Sequence, residues 1–192
     1  MREMINLFIA VLLFSTVSGG LLAFVKSSTE DRIMDQQLKF VKGPAIEQIL
    51  EGCTNEPITD RFSLADGEQE RIFFVGEFDG KRNTVAFESF GGGYGGDIGV
   101  IVAVNVDSDD IVGIAVTTHS ETPGLGSRAK DDPSFASQFK GLPIKDVFKV
   151  QPDGGQIDAL SGATVTSRGV CGAVTASSAV YFRLKDAIVE KL

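Results

Sequence analysis

The sequence predicts an α+β domain carried behind one membrane-spanning helix, and three observations point that way. An uncharged run of 21 residues, Ile5 to Val25, lies near the N-terminus. The middle of the chain alternates apolar and polar residues with period two, broken by short acidic or glycine turns. The last stretch spaces its apolar residues by three, four or seven. Strands paired in hairpins with helices at the ends make an antiparallel sheet packed by helices, not a doubly wound one.

Composition narrows the function. With 18 Lys+Arg against 26 Asp+Glu the formal charge is −8, which excludes a nucleic-acid binder working by bulk charge. A hydrophobic fraction of 43% with 14 Phe is enough to fill one core. Two cysteines, Cys53 and Cys171, and a single histidine supply neither a disulfide scaffold nor an evident zinc or haem ligand set.

At about 1.5 Å per residue the uncharged run reaches ~31 Å, the thickness of a bilayer hydrocarbon core. A cleaved signal peptide would need only Leu7 to Phe14 with a cut near Ser18-Gly19-Gly20. Leu21, Leu22, Phe24 and Val25 carry the apolar run past that point and favour a retained anchor over residues 1–26. Lys26, Arg32, Lys39 and Lys42 follow the anchor. By the positive-inside rule they would keep the rest of the chain cytoplasmic, a rule that weakens for long translocated domains.

A helical stalk is expected over residues 27–60. Thr29 to Val41 is a polar helix with Ile33, Leu38 and Val41 as its sparse apolar stripe, and Gly43-Pro44 interrupts it. A second short helix, Pro44 to Glu51, has Pro at its start and Gly52 as its stop. The domain proper is expected over 61–192. Arg71 to Phe78 and Thr84 to Phe90 form a hairpin around Asp79-Gly80. Ile98 to Val106 and Ile111 to Thr118, rich in Val and Ile, form a second around Asp107-Ser108-Asp109-Asp110. Pro133 to Lys140 is expected as a short helix and Val147 to Val150 as a short strand. A long helix is expected from about Arg168, with Val170, Val174, Tyr181, Leu184 and Ile188 on one face.

Three motifs could carry chemistry. Gly91-Gly92-Gly93-Tyr94-Gly95-Gly96 satisfies G-x-G-x-x-G, but a strand and not a helix follows it, so a dinucleotide cradle is not expected. It is expected to be a mobile strand connection, or a place where a flat ligand or a neighbouring subunit approaches the backbone. In His119-Ser120-Glu121-Thr122-Pro123-Gly124-Leu125-Gly126 the Pro-Gly pair forces a turn. That turn is either an ordinary connection or one that holds Glu121, Thr122 and Leu125 toward a ligand. In Asp158-Ala159-Leu160-Ser161-Gly162-Ala163-Thr164 small residues leave the Thr164 hydroxyl accessible. Thr166 or Ser167 could cap the helix that follows, and the free amides there, with Arg168 nearby, would welcome a phosphate. A plain helix cap is the competing reading.

The Asp158-x-x-Ser161-Gly162-Ala163-Thr164 motif, the Glu121-Thr122-Pro123-Gly124-Leu125-Gly126 loop and the single N-terminal membrane helix together resemble the FMN-binding G subunit of the Rnf electron-transport complex. They are similar also to the C subunit of the sodium-pumping NADH:quinone reductase. The resemblance implies an electron carrier within an ion-translocating ferredoxin:NAD oxidoreductase, beside the other membrane subunits of that complex and without turnover alone. It implies FMN attached as a phosphoester to Thr164 by a separate flavin transferase that uses FAD as donor. Ser161, Gly162 and Ala163 would belong to the recognition sequence, and Thr166 and Ser167 would contact the phosphate. Glu121, Thr122 and Leu125 would line the isoalloxazine ring, with Gly124 and Gly126 shaping the loop. It further implies a single-pass protein of the cytoplasmic (inner) membrane with its soluble domain on the outer face. The residues alone leave open a free-standing anchored flavinylated reductase and a non-redox anchored ligand-binding domain.

Overall fold

The computed structural model describes residues 2–67 and 69–192, and of Asp31 and Met34 the backbone only. The chain divides into two compact units, Met1–Phe40 and Val41–Leu192. In the first, a single helix α1 runs from Arg2 to Gln37, 36 residues. Its segment Arg2–Glu30 is long and apolar enough to cross a membrane, and side chains such as Phe14 and Leu22 are exposed. The anchor and the first stalk helix are therefore one element. A π-helical turn at Leu38–Lys42 follows, then α2, Gly43–Ile49, with Pro near its start where a missing N–H costs nothing.

Among the described residues five strands make one antiparallel sheet in sequence order. They are β1 Arg61–Asp66, β2 Gln69–Phe78, β3 Lys81–Gly92, β4 Asp97–Asn105 and β5 Asp110–Thr118. Both expected hairpins are present. Asp79 and Gly80 take φ values of 53° and 72°, the pair of positive angles a type I′ turn needs. The edge strand β1 is an addition to the expected elements; its alternation of Phe62 and Leu64 against polar neighbours is the signal that could have found it.

Helix α5, Thr164–Lys191, lies across β3 and β4. It buries the expected stripe, Val170, Val174, Tyr181 and Ile188, against Phe73, Val85, Phe87, Val100 and Val102, with Leu184 packed alongside. Strand residues of the opposite parity face α2, whose Ile49 approaches Gly113 and whose flank places Leu50 over Gly76. Two short helices, α3 Arg128–Asp131 and α4 Pro133–Ser137, follow β5. The helix expected over Pro133 to Lys140 is shorter, and α3 precedes it as an additional turn. Val147 to Val150 is not a strand: among the described residues one isolated parallel bridge, Val150 to Ile157, forms there, and the chain turns back at Gly154 too soon to extend it into a ladder.

The far half of α5 is fastened to the turn after β4. Tyr181 OH donates to Asp109 Oδ1 at 2.6 Å, and Lys185 Nζ reaches Asp109 Oδ2 at 2.6 Å. Burial and the Asp109 carboxylate push the Tyr181 phenol far above its usual range, so it stays a donor. Tyr181→Phe is expected to cost about 1 kcal/mol, read as a lower denaturation midpoint with an unchanged slope. Cys53 and Cys171 are both free thiols. Burial, then the charge of Asp153, pushes the Cys171 thiol up to about 11. A thiol-alkylating reagent should therefore modify the half-exposed Cys53 first and reach Cys171 only on unfolding, which peptide mass spectrometry will show.

Candidate functional site

The first turn of α5 is built differently from the expected helix start at Arg168. Gly162 has a φ of 79°, a left-handed angle at which a side chain is strained, and it turns the chain so that α5 begins at Thr164. The N-cap is Ala163, which has no side-chain oxygen to offer. The amides of Thr164, Val165 and Thr166 are therefore left without a cap, whereas Ser167 N–H already donates to Ala163 O at 3.0 Å. Thr166 and Ser167 lie inside the helix and do not cap it. Ser167 Oγ donates to Ala163 O and accepts from Leu160 N–H, both at 3.0 Å. Arg168 points its guanidinium at Asp153, with bonds of 2.6 and 2.8 Å, and is engaged there instead of waiting for an anion.

Opposite this turn the loop after β5 folds over Pro123-Gly124. Leu125 N–H and Ser127 N–H both donate to Thr122 O at 3.2 Å, and Gly124 N–H donates to Ser127 Oγ at 2.9 Å. Gly124 takes a φ of 72°, so the Pro-Gly step forces the turn as its residue types require.

The glycine run is a packing device. Gly91 and Gly92 are the last residues of β3. A Cβ on Gly91 would lie 2.0 Å from Gly169 O, and one on Gly169 would lie 2.7 Å from Gly92 O. The start of α5 thus crosses β3 backbone to backbone. A Cβ on Gly95 would lie 2.1 Å from Ser120 O, so the run also seats the residues that follow β5. At Gly91, Gly93 and Gly95 the run therefore lets other parts of the chain approach its backbone, the close-approach use expected of such glycines.

Glu121 ties the three pieces together. Its Oε1 accepts from Gly95 N–H at 2.8 Å, its Oε2 accepts from the Thr166 hydroxyl, and the side chain is buried. A Cβ on Gly93 would lie 2.5 Å from Oε1, and one on Gly126 would lie 2.6 Å from Oε2. Those glycines are thus the room in which the carboxylate fits. Burial pushes the Glu121 pKa up, but donation from Thr166, Gly95 and Tyr94 outweighs it and holds the carboxyl below its ordinary value. The stability gained from the ionised group is full above the ordinary carboxylate range and is lost as pH falls through the lowered value. An acid titration followed by near-ultraviolet circular dichroism should show this region loosening only as pH falls below that range.

These elements enclose a cleft of about 480 Å³, within the range of roughly 300–1,000 Å³ typical of small-molecule sites. From the loop after β5 it takes Glu121, Thr122, Leu125 and Gly126, and from the α5 turn Gly162, Ala163, Thr164 and Thr166. Ser161, Ser167 and Gly124 do not line it. Ser161 is exposed on the turn before α5, Ser167 is buried beneath it, and Gly124 only shapes the opposite loop. Tyr94 and Val165 line the cleft too, and sequence reasoning misses both. Tyr94, 76% exposed within an otherwise all-glycine run, is the signal that could have found the first. The four hydroxyls around the motif differ in commitment. Thr166 and Ser167 are bonded inward, Ser161 lies outside the cleft, and half-buried Thr164, at the first position of α5, makes no hydrogen bond among the described residues.

Comparison with known proteins points to the same segment. A model described as FMN-binding domain matches residues 93–178. The chain is 34% identical to the G subunit of the ion-translocating oxidoreductase complex of Cereibacter sphaeroides, covering 94% of this chain and 85% of that one. It is 31% identical to the protein of the same name in Methanosarcina acetivorans, covering 90% and 92%. The fold is similar to the crystal structure of the C subunit of Na(+)-translocating NADH-quinone reductase from Parabacteroides distasonis. That likeness has a TM-score of 0.58 and 24% identity, over 79% of this chain and 95% of that one.

Proposed function

We propose, from the premise that the chain belongs to the G-subunit family of ion-translocating oxidoreductase complexes, that it is an electron carrier whose FMN is esterified through its phosphate to Thr164. The observation that carries the attachment point is the Thr164 hydroxyl, uncommitted in the cleft wall at the first position of α5. The residues fit the group. The uncapped amides at the start of α5 offer donors to a phosphate on the Thr164 oxygen, with the positive end of the helix dipole behind them. Tyr94, Leu125 and Val165, all substantially exposed, give the cleft apolar walls for a flat ring. FMN when bound supplies one- and two-electron chemistry; the chain supplies position, shielding and charge.

Attachment needs a flavin transferase as partner. The Thr164 oxygen forms a new bond to the FMN phosphorus of FAD, the pyrophosphate bond breaks, AMP leaves, and the hydroxyl proton is lost to solvent. A covalent tether removes the loss by dilution that reversible binding would allow outside the cell. In this reading residues 1–26 anchor the chain in the cytoplasmic membrane, and the FMN-binding domain, whose sheet α2 packs against, lies on the outer face. Other subunits of the complex deliver and accept the electrons moving between ferredoxin and NAD. The experiment is intact-mass analysis and peptide mapping of the full chain coexpressed with a flavin transferase. Addition of one FMN less one water, on the peptide containing Thr164, is the expected result. An unmodified peptide from material produced with active transferase would overturn the reading.

A further inference from the structure

We propose that Glu121 sets the reduction potential of the flavin in this cleft, its fixed negative charge holding the potential low. The inference rests on the flavin reading above and goes beyond it, since it assigns a role to a carboxylate that nothing in the attachment chemistry requires.

Among the described residues Glu121 is the one charged group in the cleft lining. Its charge cannot swing away: Gly95 N–H holds one oxygen, the Thr166 hydroxyl holds the other, and Gly93 and Gly126 close in on both sides. No cation among the described residues forms an ion pair with it. Arg168 and Arg128, two residues beyond Thr166 and Gly126 in the chain, are bonded to Asp153 and Asp132. The neighbouring His119 meets Glu121 through its backbone, accepting Glu121 N–H on Nδ1 at 3.3 Å. Glu121 is only 7% exposed, which limits screening of the charge by water. The donors that hold the carboxylate also keep it ionised, as its lowered pKa indicates.

The consequence follows from charge balance. The oxidised isoalloxazine ring is neutral, and its reduced form would carry a negative charge wherever it takes up fewer protons than electrons. A carboxylate fixed in the same cleft repels that added charge, so the reduced fraction at a given applied potential falls. Attraction or repulsion across such a cleft at an effective dielectric constant near 20 changes the ratio roughly tenfold or more. For a one-electron couple a tenfold change is about 59 mV.

The test is a mediator-dye redox titration, monitored by flavin absorbance, of the full flavinylated chain as wild type, Glu121→Gln and Thr166→Val. Gln keeps the shape and removes the charge, so its reduced-to-oxidised ratio at fixed potential should rise about tenfold. Thr166→Val removes the hydroxyl that partly neutralises the charge while Gly95 N–H still holds the carboxylate, so in a titration at pH about 8, far above the carboxylate range, its ratio should fall about threefold. A role in shape alone would loosen the cleft in both variants and shift both the same way, which would overturn the proposal. So would a Gln ratio within threefold of wild type. If Glu121→Gln does not fold, the Val variant decides, and an unchanged or raised ratio overturns the proposal. Failure of the wild-type chain to carry flavin at all would strike the function proposed above instead.

Discussion

Thr164→Val is expected to abolish the flavin band that survives denaturing electrophoresis, completely, while leaving the melting transition within about 0.5 kcal/mol of wild type. The reasons are local. Val is nearly isosteric with Thr and equally β-branched, the position is half-buried, and the hydroxyl it removes makes no hydrogen bond among the described residues. The substitution therefore takes away a nucleophile and nothing that holds the fold. In-gel fluorescence under ultraviolet light, paired with a thermal melt in detergent, reads both halves of the expectation. A persistent band would mean that another hydroxyl is the acceptor. Thr166→Val should give the opposite pattern: the band persists, but the Glu121 carboxylate loses a donor, at a cost of about 1–3 kcal/mol.

Gly91→Ala should be the most damaging single methyl group in the chain's last helix–strand contact. The added carbon would lie 2.0 Å from Gly169 O and 2.8 Å from Ala173 N. Both are backbone atoms of a helix that cannot move a side chain aside, so α5 itself must shift. Forcing extra volume into a packed contact costs about 1–3 kcal/mol and more where nothing can yield, and this site belongs at the top of that range. Because Thr164 begins the same helix, the flavin-loading rate should fall together with the denaturation midpoint. Gly172→Ala is the internal control. It lies in the same helix with nothing within 4 Å, and should instead stabilise by about 1 kcal/mol through helix propensity. If Gly91→Ala unfolds at the wild-type midpoint, the close crossing is not what positions α5.

Much of the fold is legible along the chain because its signals are local. Asp79-Gly80 makes a type I′ hairpin turn wherever it stands between alternating strands, and the stripe from Val170 to Ile188 reports a buried helix face by its spacing. What escapes has weak local signal. Strand β1 offers only Phe62 and Leu64 in six residues. The start of α5 carries no capping side chain at Ala163 and opens with β-branched residues of modest helix propensity. Val147 to Val150 has strand-like composition, but a strand needs a partner, and that is a fact about the rest of the chain.

The candidate site divides in the same way. The Ser161-Gly162-Ala163-Thr164 motif and the Glu121 to Gly126 loop are recognisable as residues, and eight of the eleven positions expected to bind the cofactor line one cleft. The sequence by itself determined the sheet of hairpins, the apolar helix, the packed face of α5 and the family, since each is written in periodicity, turn chemistry or motif. Only the tertiary structure decided that the glycine run is a backbone crossing, that Arg168 is spoken for by Asp153, and that Glu121 joins the crossing to the first turn of α5. Those are contacts between residues 15 to 82 positions apart. Close approach at such separations is set by how whole elements pack, which no pattern within one element encodes.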